Sequence, residues 1–214
     1  MLFRSRTITQ YAAALNLTTQ ERLELFGKVC DAVAYGHHKG VIHRDLKPGN
    51  ILVDAAGQPR VIDFGVARST DADMAITMQH TAVGQIIGTM QYMSPEQFNA
   101  DPGDIDTRAD VYALGVVLYE LLAKRPPYEV RRKALLEAAR VVREDEPRPL
   151  SAVNRTIRRD LAGITGKCLE KDRARRYSTA SELGADIRRY LDGDARSEEH
   201  TSELQSPCNL VCRL

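Results

Sequence analysis

Two short apolar runs, Ile51-Leu52-Val53 and Arg60-Val61-Ile62, are joined by the turn-rich stretch Asp54-Ala55-Ala56-Gly57-Gln58-Pro59. Runs this short, linked by turn formers, fold back as a β-hairpin. A hairpin brings its open ends together, so Asn50 before the first strand and Asp63 after the second are expected to face one site. Immediately upstream lies His43-Arg44-Asp45-Leu46-Lys47-Pro48-Gly49, and downstream Asp63 opens Asp63-Phe64-Gly65. The stretch therefore holds two acidic residues, a lysine and an asparagine at close spacing.

Those residue types suit phosphoryl transfer from Mg-ATP, which asks for charge neutralisation and in-line placement of a nucleophile more than for covalent chemistry. Asp45 is the candidate to accept or orient the proton of an acceptor hydroxyl, and Lys47 supplies a point charge two residues on. Asn50 offers a neutral oxygen and Asp63 a charged one to magnesium, which takes a few hard oxygens plus phosphate and water. Gly65 gives freedom to turn, and Phe64 is expected to pack inward. His43 reads as a packed or backbone-bonded histidine, not a base. An isolated Asp-Phe-Gly carries little information; the whole ordered set carries much more.

The 214 residues suit one domain with a sizeable core. Thr18-Thr19-Gln20-Glu21 has capping-box spacing and opens a helix with Leu23, Phe26, Cys30 and Val33 on one face, ending near Gly36 to Gly40. Asp110 to Leu122 is apolar nearly all round and predicts a helix buried at the domain centre, stopped by Lys124-Arg125-Pro126-Pro127. Further helices are predicted across Arg131 to Arg143, Ile157 to Leu169 and Thr179 to Leu191. Val66 to Met93 lacks periodicity, and a connection that long is usually functional. The expected class is mostly α, with a short hairpin at a cleft.

Charge and cysteines exclude more than they assign. The 30 basic residues nearly balance 29 acidic ones, so no global field argues for nucleic acid or a membrane surface. The basic clusters Arg131-Arg132-Lys133 and Lys171 to Arg176 read as solvated helical faces. Cys30, Cys168, Cys208 and Cys212 lack metal-ligand spacing; the first two read as buried free thiols. Val111 to Ala123 is too short to span a bilayer, and no signal peptide is evident, so a cytoplasmic location is the expectation.

From Leu23 to Asp192 the chain resembles the C-terminal lobe of a bacterial eukaryotic-type serine/threonine protein kinase, of a group abundant in planctomycete-like bacteria. Gly88-Thr89-Met90-Gln91-Tyr92-Met93-Ser94-Pro95-Glu96 is similar to the segment that closes the activation loop, with Ser94 where alanine is common. The resemblance implies ATP and Mg2+ as cofactors and a protein substrate with a Ser or Thr acceptor, favoured by Lys47 and Thr89. It implies an ion pair between Glu96 and Arg176, and an anchoring role for Asp110 under the catalytic loop. It also implies control through Arg44 by phosphorylation, with Thr77 and Thr81 preferred as sites and Ser69 and Thr70 behind them. A scaffold lobe without catalysis is the competing class, against which the retention of Asp45, Lys47, Asn50 and Asp63 speaks. A small-molecule phosphotransferase is a third, disfavoured by the Gly88 to Glu96 segment.

Both ends depart from the family pattern. There is no Gly-x-Gly-x-x-Gly near the start and no strand lysine of the Val-Ala-Ile-Lys type. The resemblance begins near the hinge, which predicts a hinge-like segment over 1–17, a kinase C-lobe over 18–192 and a missing N-lobe. Such a truncated chain is expected to have negligible activity alone, although its parent is an active enzyme. Residues 193–214 are expected to form a non-native tail, because Arg196 to Leu214 is similar to a translated sequencing adapter.

Overall fold

The computed structural model describes residues 5–64, 88–98, 105–130 and 133–204, with side chains as far as 193. The chain opens with strand β1 (Arg6–Thr7) and helix α1 (Ile8–Ala14), followed by the long helix α2 (Thr19–His38). A tight turn at Pro48–Asn50 leads into β2 (Ile51–Val53) and β3 (Pro59–Val61). After a single turn at Pro95–Phe98 come the helices α3 (Thr107–Ala123), α4 (Leu135–Glu144), α5 (Leu150–Val153), α6 (Arg159–Cys168) and α7 (Ala180–Leu204). The architecture is mostly helical with one small antiparallel sheet.

Local chemistry accounts for the ends of α2. Thr18 Oγ1 accepts from Glu21 N at 3.2 Å, and Glu21 Oε2 accepts from Thr18 N at 2.7 Å, completing the capping box. Such a cap is worth about 1 kcal/mol. At the far end Gly40 takes φ +75°, Val41 N donates to Gly36 O and Gly40 N donates to His37 O. This pairing satisfies the last carbonyls and turns the chain toward His43.

The core lies around α3, whose residues are buried on every side from Ala109 through Tyr119. Asp106 caps its start by accepting from Arg108 N at 2.8 Å, and Lys124 ends it in the left-handed region at φ +58°. Gly115 lets α6 approach closely, since a Cβ there would collide with Cys168 Cβ. Helices α2 and α7 pack together, Gly184 lying against Cys30. Cys30 and Cys168 are both buried free thiols.

Several boundaries differ from the sequence reading. Arg6–Thr7 joins the hairpin as a third strand, with Arg6 opposite Val53 and Thr7 opposite Leu52, giving the order β1-β2-β3. Ile8 and Ala12 of α1 are fully buried in the common core. The helix expected to end at Leu191 runs on to Leu204; Glu and Leu favour helix there, and no proline intervenes before Pro207. The run Lys171 to Arg176 is not a solvated helical face, because Arg176 is buried and Lys171 half-buried. Gly65, Ser69, Thr70, Thr77, Thr81, Arg131, Arg132, Cys208 and Cys212 lie outside the described residues.

Candidate active site

Asp110, in the first turn of α3, is almost fully buried beneath the loop that follows α2. Its Oδ2 accepts from His43 N at 2.8 Å, and its Oδ1 accepts from Arg44 N at 2.8 Å. His37, in the last turn of α2, brings Nε2 to Asp110 Oδ2 at 2.8 Å. Three donors on one carboxylate compensate its desolvation. They also hold Arg44 at φ +65°, a left-handed conformation that a residue bearing a Cβ adopts at a cost of about 1–2 kcal/mol. His37 was not singled out from the sequence, where a histidine near a helix C-terminus signals only a favourable dipole contact.

His43 then ties the loop to the hairpin. Its Nδ1 accepts from Asp45 N at 3.3 Å, which leaves Nε2–H to donate to Ile62 O at 2.8 Å. The neutral tautomer with hydrogen on Nε2 satisfies both bonds. As expected from the sequence, the ring is backbone-bonded and not free to act as a base.

The hairpin and the loop bring four polar groups together. Lys47 Nζ donates to Asp45 Oδ2 at 2.9 Å and reaches Thr89 Oγ1 at 3.5 Å. Asn50 Nδ2 donates to Asp45 O at 2.8 Å and to Asp45 Oδ2 at 3.2 Å. Pro48 opens the turn that places Asn50, whose N–H closes on Lys47 O at 2.9 Å. Ile62 N donates to Asn50 O at 2.9 Å, so Asn50 and the residue before Asp63 are bonded neighbours at the hairpin's open end. Asp63 is exposed at φ +60°, and Phe64 packs with its ring 4.9 Å from that of His43.

The donor chemistry fits magnesium. Asn50 commits its amide nitrogen to Asp45, leaving the carbonyl oxygen for a hard cation, and Asp63 adds an exposed carboxylate. Among the described residues no group of three or more His, Cys, Asp or Glu could hold a metal by itself.

The segment around Glu96 forms the floor. Arg176 grips Glu96 with two bonds, NH1 to Oε1 at 2.6 Å and NH2 to Oε2 at 2.8 Å. Its remaining donors meet the carbonyls of Glu170, Arg108 and Lys171 at 2.7, 3.1 and 3.0 Å, and its guanidinium lies 5.0 Å from the Tyr112 ring centre. Ser94 donates its N–H to Gln97 Oε1 at 2.9 Å, and Gln97 Nε2 donates to Arg44 O at 2.8 Å. Gln97 thus links this segment to the loop, a role with no sequence signal of its own. Tyr92 OH donates to Glu120 Oε2 at 2.5 Å, fixing the same segment to α3. Arg44 Nε is buried without a partner among the described residues.

Lys171 stands behind this floor. Nζ donates to Tyr128 OH at 2.8 Å and lies 4.5 Å from the ring centre, and burial outweighs the nearby Glu146 and Asp145 carboxylates and pulls its pKa down to about 8.

Two outcomes follow. Arg176→Met leaves the Glu96 carboxylate buried and uncompensated and is expected to cost about 3–5 kcal/mol in urea unfolding; a loss under 1 kcal/mol would show the pair to be dispensable. For Lys171, the unfolded chain binds the proton up to its ordinary pKa of 10.5 while the folded chain releases it near 8. Its burial cost is therefore present below pH 8 and is relieved as pH rises above it. The stability of Lys171→Met relative to the native chain is expected to fall between about pH 8 and 10; a flat difference over that window contradicts the burial.

The chain matches the protein kinase domain family over residues 4–186. Serine/threonine-protein kinase PknB of Mycobacterium tuberculosis is 40% identical over 178 residues, covering 83% of this chain and 27% of that protein. Probable serine/threonine-protein kinase SCO3848 of Streptomyces coelicolor is 40% identical over 177 residues, covering 83% and 25%. Serine/threonine-protein kinase PknD of Protochlamydia amoebophila is 39% identical over 190 residues, covering 82% and 19%. The chain thus spans about a quarter or less of the length of these relatives.

Proposed function

The chain belongs to the protein kinase domain family, and from that premise we propose that its parent protein transfers the γ-phosphate of ATP to serine or threonine hydroxyls of proteins. The observation that carries this reading is the Asp45 carboxylate, held at 2.9 Å by Lys47 and 3.2 Å by Asn50 while staying partly open to solvent. A carboxylate so fixed accepts the proton of an acceptor hydroxyl as its oxygen bonds to the γ-phosphorus and the bond to the β-bridging oxygen breaks. Lys47 places positive charge beside the transferring group, and Thr89 holds Lys47 from the far side. Asn50 and Asp63 would hold magnesium, which when bound would supply neutralising charge to the phosphates. The preference for Ser or Thr rests on Lys47 and Thr89 and on the kinship with serine/threonine kinases.

The proposed control element is Arg44. Its Nε is buried without a partner among the described residues, which suits a phosphate as its ligand. Thr77 and Thr81 are the proposed acceptors. The sequence holds no glycine-rich loop or strand lysine for the nucleotide, and the 214-residue chain alone is therefore proposed to have negligible activity. Nothing among the described helices is long and apolar enough to cross a membrane.

The test is phosphoryl transfer from labelled ATP to peptide pools by the full protein that carries this domain. Labelling of Ser and Thr pools, reduced by about 10³-fold or more in Asp45→Asn, is expected. Undiminished transfer by Asp45→Asn, or labelling confined to tyrosine, overturns the reading.

A further inference from the structure

Gly36 lies in the last turn of α2, and a Cβ placed there would come within 2.5 Å of Phe64 Cε1 and 3.2 Å of both Cδ1 and Cζ. Side-chain carbons do not approach an aromatic ring so closely, so Phe64 occupies space that only glycine leaves open. Conformation does not call for glycine, because Gly36 is part of a regular helix and lacks the positive φ of Gly40 and Gly57. Helix propensity argues against it as well. What remains is the seat for the ring.

The seat is rigid on each side. Gly36 O accepts from Lys39 N and Val41 N, both at 3.0 Å, which fixes the backbone beneath the ring. The same ring meets His43 at a centroid distance of 4.9 Å and an interplanar angle of 56°. His43 is itself held by Asp110, Asp45 N and Ile62 O. Asp63 stands between the last pinned residue, Ile62, and the seated Phe64, at φ +60°. Two fixed neighbours set the backbone from which its carboxylate extends.

We propose that Gly36 is a positioning residue for Asp63: by leaving room for Phe64 it sets the turn out of β3 and the place of the adjacent carboxylate. The magnesium part of this inference rests on the reading of Asp63 as a cation ligand. A side chain at position 36 would lift the ring and move Asp63 with little effect on the acceptor side.

The test compares Gly36→Ala with Gly27→Ala, on the same helix, where a new Cβ meets nothing within 4 Å. Hydrogen exchange across residues 60–64 of this chain is expected to accelerate at least ~10-fold in Gly36→Ala and to stay native in Gly27→Ala. In the full protein, Gly36→Ala is expected to raise the Mg2+ concentration for half-maximal transfer about 10-fold while leaving the KM for the acceptor peptide unchanged. Adding Phe64→Leu to Gly36→Ala, which removes the colliding ring atoms, is expected to recover most of both effects. Native exchange and native Mg2+ dependence in Gly36→Ala overturn the proposal. A native chain with no Mg2+-dependent transfer overturns the kinase reading instead, and the exchange comparison then still decides the role of Gly36.

Discussion

The carboxylate of Asp110 is the point on which the rest of the site hangs. It receives His43 N, Arg44 N and His37 Nε2, and so joins the end of α2, the loop and the start of α3 at one buried position. Arg44 could not keep its left-handed backbone without such a hold. Because His43 is fixed there, its ring can reach Ile62 O and bind the loop to the hairpin. From that point Asp45, Lys47, Asn50 and Asp63 have little freedom left in their relative placement.

On the proposed reading this arrangement separates two tasks. The proposed acceptor side, Asp45 with Lys47 and Thr89, is built from the loop and the segment that ends at Glu96. The proposed cation side, Asn50 and Asp63, is built from the open end of the hairpin. Each has its own support. The first rests on Gln97, Tyr92 and the Glu96–Arg176 pair, and the second on the antiparallel register and the packing of Phe64. A buried ion pair is seldom a large net source of stability, so the Glu96–Arg176 pair is better understood as fixing the geometry of the floor.

Much of this was legible in the sequence where the signal is local. Thr18 and Glu21 announce the cap of α2, the apolar surround of Asp110 to Leu122 announces a central helix, and the hairpin follows from two short runs and a turn. The facing of Asn50 and Asp63 follows from the hairpin, while Asp45 and Lys47 join the set through the ordered motif and its resemblance. What could not be read depends on partners distant in the chain. Arg6–Thr7 is too short to alternate and becomes a strand because Leu52 and Val53 offer it an edge. Composition alone makes Arg176 one more charge in a basic run; its pairing with Glu96 comes only through the family resemblance, and the three carbonyls that share its guanidinium have no sequence signal. Gly36 read only as the end of a helix, because nothing local says that Phe64 will lie on it.

The most direct test of the account is the transfer rate of Asp110→Asn in the full protein, measured against its unfolding free energy. The amide keeps the shape but offers one acceptor oxygen where the carboxylate offers two, so one of the two loop amides loses its acceptor. A displacement of the loop by about 1 Å is enough to lower transfer ~100-fold, and that fall is predicted to persist under conditions where the variant remains fully folded. Native transfer by a folded Asp110→Asn would contradict the claim that this carboxylate sets the geometry of the site.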